Sequence, residues 1–142
     1  LAQQNFIGTV SSAIIPRTVF EAVGGFDEEL PARQDLDLWL RIAKHWDLLA
    51  VNEPLTGYVN HQHGISKSFD KKIRAHELFL DKHQSLYDGD RALLAAYQYA
   101  TGVLCLKHSR RELARDYLRR SLTARLTLRA LTRFLAALLP RS

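Results

Sequence analysis

Apolar and polar positions obey two different rules along this chain. Up to about residue 68 the apolar residues come in short runs broken by glycine and proline, whereas from about residue 70 they recur every three or four positions. Residues 6–15 are apolar at both ends around Thr9, Val10, Ser11 and Ser12 and are closed by Pro16, which predicts a partly buried strand. A short helix is expected over 17–23, presenting Val19, Phe20 and Val23, with Gly24 just past its end where a left-handed backbone costs little. Phe26 is expected to plug the core below that turn. The next helix runs from Gln34 to about Lys44 or His45 and holds Leu36, Trp39, Leu40 and Ala43 on its apolar side. Two short strands, 48–51 and 55–61, are expected around a turn at Asn52-Glu53-Pro54, with a polar loop leaving the second.

The second half reads as consecutive helices. The first carries Ile73, His76, Leu80 and His83; others follow over 93–106, 112–122 and 126–139, with breaks at Asp88-Gly89-Asp90 and His108-Ser109 and a stop at Pro140. The expectation is therefore an α/β segment, 1–68, followed by an all-α extension, 69–142, built as a small bundle or helix pair.

Charge follows the same division. Residues 1–68 carry five Lys/Arg against eight Asp/Glu, a net −3, while residues 69–142 carry fifteen against seven, a net +8. Arginines scattered through an amphipathic pattern, without interleaved aromatics, do not suggest a nucleic-acid partner. One cysteine, Cys105, excludes an internal disulfide and fits a reducing compartment. The chain starts without methionine in what reads as a strand, which suggests a piece of a longer polypeptide.

Candidate chemistry concentrates between Gly24 and His63. Asp35 stands at the start of a helix beside a glycine-bearing loop, a rigid mounting suited to a general base. The same position also suits a first-turn carboxylate that satisfies free backbone amides. Asp35 and Asp37 spell Asp-x-Asp, but helical residues two apart diverge, so a joint metal clamp is rejected. Asp37 should instead face solvent or Arg41, four residues on. His61 and His63 lie two apart at a strand end, and with no Cys, Asp or Glu nearby they are weak evidence for a metal. No glycine-rich phosphate loop and no G-x-S-x-G elbow is present. In the last helix Arg125, Arg129 and Arg133 form a basic stripe. It reads either as solvated charge on a helix capping the bundle or as peripheral contact with an anionic membrane through residues 122–139.

Taken together, Thr9 to Pro16, Val23-Gly24-Gly25-Phe26-Asp27-Glu28, Gln34-Asp35-Leu36-Asp37-Leu38-Trp39-Leu40-Arg41, Tyr58-x-x-His61 and Ser66 resemble the C-terminal half of the catalytic domain of family 2 glycosyltransferases, over about residues 5–68. The resemblance implies a GT-A, Rossmann-like fold, a nucleotide-diphosphate sugar donor, a glycan or lipid-linked acceptor, and a divalent cation, Mg or Mn. It implies inversion in a single displacement with Asp35 as catalytic base, in glycan or cell-envelope polysaccharide synthesis.

By the same resemblance Gly24, Gly25, Phe26 and Gln34, the last a glutamate in many relatives, line the acceptor side. Trp39 packs the helix, and His61, or His63 after a small shift, lies near the metal. The nucleotide-binding half would precede Leu1, so the isolated piece is expected to be inactive and metal-free. Residues 95–126, with Tyr97, Tyr99, Gly102, Ala114, Tyr117 and Leu122, are similar to one tetratricopeptide-like helix pair. The implied location is cytoplasmic, at the inner face of the membrane if the last helix engages it. The reading from a different class is a non-catalytic helical module that binds a protein partner or an anionic membrane surface.

Overall fold

A computed structural model of the chain describes residues 5–8, 10–57 and 68–139. Seven α-helices are present among them: α1 (Arg17–Ala22), α2 (Gln34–Ile42), α3 (Phe69–Lys82), α4 (Gln84–Asp88), α5 (Arg91–Lys107), α6 (Arg111–Ala124) and α7 (Leu128–Leu138). The chain divides into two compact units, Leu1–Phe79 and Leu80–Ser142, and the division falls within α3.

The expected α/β architecture is overturned. Among the described residues there is no strand, and the only other regular element is a 3-10 turn, Val10–Ser12. Residues 5–15 spend their polar groups locally instead of on a ladder. The Asn5 side chain accepts from Gly8 N and donates to Gly8 O, and Ser12 Oγ donates to Ile7 O at 2.8 Å. Such side-chain bonds compete directly with strand pairing. Residues 48–51 and the described part of 55–61 keep the turn at Glu53, where Leu55 N bonds Glu53 O at 2.9 Å, but find no partner strand among the described residues. An unpaired two-stranded ribbon is marginal in water, and Leu49, Val51 and Leu55 are exposed.

In the first unit α2 is the axis of the core. Leu38, Trp39 and Ile42 are buried and packed by Ile7, Ala13, Ile15, Val19, Phe20 and Val23, so the irregular N-terminal stretch and α1 lie against one side of the helix. Leu36 and Leu40 are buried too, which leaves Ala43, beyond the end of α2, exposed rather than on an apolar side. The chain enters this core through a double-glycine turn: Gly24 (φ 79°) and Gly25 (φ 68°) both use left-handed backbone, and Gly25 N bonds Phe20 O at 2.9 Å. A side chain at Gly25 would also meet the Phe20 ring at 3.2 Å. Phe26 does not plug the core. It is 38% exposed and packs edge-to-face on Phe20, centroids 5.4 Å apart.

In the second unit α5 and α6 form an antiparallel pair, joined by a three-residue turn in which Ser109 takes a positive φ. Ser121 Oγ of α6 donates to Ala95 O of α5 at 2.8 Å, and Arg91 Nη2 donates to Thr123 O at 3.3 Å. Close approach is set at Gly102, where even a methyl would lie 2.8 Å from Leu118. Asp90, in the expected break, caps α5 by accepting from Ala92 N and Leu93 N. His83, expected on the first helix of this half, instead sits buried at the break between α3 and α4. Cys105 is buried and its thiol is pushed up to about 11 by loss of solvent, so it behaves as an inert core residue.

Candidate functional site

Asp35 and Asp37 share one turn of α2 and do different things. Asp37 is fully buried. It is paired with Arg41 four residues later, Nη2 to Oδ2 2.7 Å and Nε to Oδ2 2.9 Å. The same guanidinium donates to Gly25 O at 2.6 Å and to Val23 O. One planar fork thus joins a buried carboxylate to two carbonyls of the double-glycine turn, a geometry that lysine cannot reproduce. Of the two expectations for Asp37, the Arg41 pairing holds and the solvent-facing one does not.

Asp35 lies on the other side and is half-buried. Oδ1 accepts from Leu36 N at 2.8 Å and Oδ2 from Asn5 Nδ2 at 3.0 Å, while Asn5 is itself fixed by Gly8. The first-turn amide contact foreseen as the bland use of this aspartate is present. It occupies one lone pair of one oxygen, and a carboxylate has room for about four such contacts. Asn5 was missed in the sequence; its only signal is a side chain able to bond Gly8 three residues on.

The turn before α2 holds a second unforeseen residue. Arg33 is the N-cap with φ 65° and no side-chain cap, a conformation costing roughly 1–2 kcal/mol without glycine. Its guanidinium is spent elsewhere, with Nη2 2.8 Å from Nε2 of His76 and Cζ 5.7 Å from the Phe79 ring centre. Guanidinium only donates, so His76 Nε2 is the acceptor and the ring is neutral. Burial holds His76 down at about 3, helped by the positive charges of Arg33 and Lys72.

Because unfolding releases a histidine of ordinary affinity, the unfolded state binds one more proton between about pH 6.5 and 3. Stability therefore falls as pH drops through that window, by up to about 1.4 kcal/mol per unit from this group. His76→Gln keeps an acceptor for Arg33 and removes the proton. Chemical denaturation of both proteins across pH 7 to 3 should show the smaller loss in the variant.

Of the acceptor-side residues expected from the sequence, Gly24, Gly25 and Phe26 form the turn held by Arg41, and Gln34 opens α2 beside Asp35. The structure brings Asp35 together with Asn5. His61 and His63 lie outside the described residues. Among the described residues no group of three or more His, Cys, Asp or Glu side chains could hold a metal ion. Trp39 is buried as expected, and its indole N–H meets no acceptor among the described residues.

A family model described as Glycosyltransferase like family 2 matches residues 2–125. No curated protein matches the chain, and no solved structure does.

Proposed function

Because the chain belongs to the glycosyltransferase like family 2, matched over residues 2–125, we propose that it takes part in moving a sugar from a nucleotide-diphosphate donor to an acceptor hydroxyl, with inversion and with Asp35 as the base. The observation that carries this reading is the mounting of Asp35. Its carboxylate is half-buried, steadied by the Leu36 amide and the Asn5 side chain, on a helix whose neighbouring turn is locked by Arg41.

In this reading the Asp35 carboxylate takes the acceptor proton as the acceptor oxygen attacks the anomeric carbon. The bond to the diphosphate breaks on the opposite face of the sugar, so the configuration inverts. Gly24, Gly25, Phe26 and Gln34 shape the acceptor side; the exposed Phe26 ring offers an apolar face to a sugar. The family commonly uses a divalent cation. The described residues do not fit one, and each step assigned here belongs to the chain's own groups.

The test is incubation of the intact protein with a panel of nucleotide-diphosphate sugars and hydroxyl acceptors. Released nucleoside diphosphate is measured, and the product's anomeric proton is read by NMR. The expected result is acceptor-dependent release with the configuration opposite to the donor's. Retained configuration would rule out Asp35 as base of a single displacement.

A further inference from the structure

Two donors hold the Asp35 carboxylate, and they are not equivalent. The Leu36 N–H, which meets Oδ1 at 2.8 Å, comes from the next residue in the chain. By itself it leaves the carboxylate free to swing, because the terminal torsion of an aspartate is broad. Asn5 Nδ2 meets the other oxygen, Oδ2, at 3.0 Å from a distant part of the sequence. A bond on each oxygen fixes the plane of the group, and with it the direction of the lone pairs that remain.

Asn5 is itself aimed. Its Nδ2 donates to Gly8 O at 2.8 Å and its Oδ1 accepts from Gly8 N at 3.1 Å, so one amide proton goes to Gly8 and the other to Asp35. Turning the amide over would set Oδ1 against the Gly8 carbonyl and the Asp35 carboxylate, and would leave the Gly8 N–H facing a donor. Only one orientation satisfies all three contacts. The segment is also seated on the helix that carries Asp35, since Ile7 packs against the buried cluster of Leu38, Trp39 and Ile42 on α2. Donor and carboxylate are thus carried by parts of the same packed core.

Closing the turn at residues 5–8 needs the two bonds to Gly8 and not the third. The third ends on the carboxylate assigned to chemistry. We propose that Asn5 is the positioning residue of the base: it fixes the Asp35 carboxylate so that a remaining lone pair meets the acceptor hydroxyl. The assignment rests on the reading of Asp35 as the base. A displacement of about 1 Å in such a group forfeits about 100-fold in rate.

Initial rates of the intact protein test this, with the donor and acceptor pair that the panel above turns over. Asn5→Ala should lower kcat by about 10–100-fold and leave donor affinity unchanged. Ser12→Ala is the control for the segment itself, because it removes the 2.8 Å bond to Ile7 O and leaves every bond of Asn5 and Asp35 in place; it should transfer at the wild-type rate. Asn5→Asp keeps the acceptor for Gly8 N but turns an acceptor on Asp35. It should lose at least as much as alanine, and it replaces alanine if that variant does not fold. In the Asp35→Asn background Asn5→Ala should cost nothing further, because the group it orients is gone. Wild-type kcat in the Asn5 variants, an equal loss in Ser12→Ala, or a full additional loss in the Asp35→Asn background would overturn the positioning role and leave Asp35 standing as base. Asp35→Asn transferring at the wild-type rate, or a chain that turns over no pair in the panel, would overturn that reading and this proposal with it.

Discussion

Asp35→Asn in the intact protein is expected to lower sugar transfer by about 10²–10⁴-fold, the share of a rate that a positioned base supplies. The amide has the shape of the carboxylate but cannot take the acceptor proton. The loss should therefore fall on kcat, with donor affinity unchanged. Little of it should come from misfolding: the amide oxygen still accepts from Leu36 N, and only the bond from Asn5 is lost, at a cost of about 1 kcal/mol. Asp35→Glu moves the carboxylate outward by one methylene and should keep part of the activity. Initial rates at saturating donor, beside a donor-binding titration of the same samples, separate these effects.

Arg41→Ala is expected to act on stability instead. It leaves the Asp37 carboxylate buried without its ion-pair partner and withdraws the guanidinium from the carbonyls of Val23 and Gly25. Breaking a buried pair from one side costs about 3–5 kcal/mol. In a unit of this size that lowers the melting temperature by more than ~10 °C. Arg41→Lys keeps the charge but not the fork, and should fall between the wild type and alanine. Thermal melts followed by circular dichroism give the order.

The helical half was legible because its signals are local. Recurring apolar positions and the polar breaks at Asp88-Gly89-Asp90 and His108-Ser109 each act within a few residues, and α5, α6 and α7 begin and end within two residues of where periodicity sets them. The Asp37–Arg41 pair was legible for the same reason, a helical spacing of four.

The strands failed because a strand is a statement about a partner. The β-branched composition of residues 6–15 measures fit to a pleated surface, and here Asn5, Gly8 and Ser12 satisfy the backbone locally. Phe26 was misread because hydrophobicity alone does not distinguish a ring under the turn from one leaning on Phe20 at the surface. The Arg33–His76 contact joins residues 43 apart through a left-handed arginine, and no periodic pattern encodes that.

In the proposed function two carboxylates on one helix divide the work, Asp35 taking the acceptor proton and Asp37, through Arg41, holding the turn. The most direct test of that division is to measure transfer rate and melting temperature on the same preparations of Asp35→Asn and Arg41→Ala. The predicted result is a crossed pattern, with Asp35→Asn losing transfer and melting close to the wild type, and Arg41→Ala melting far lower. An Asp35→Asn protein that still transfers sugar at the wild-type rate, or that melts as low as Arg41→Ala, would contradict it.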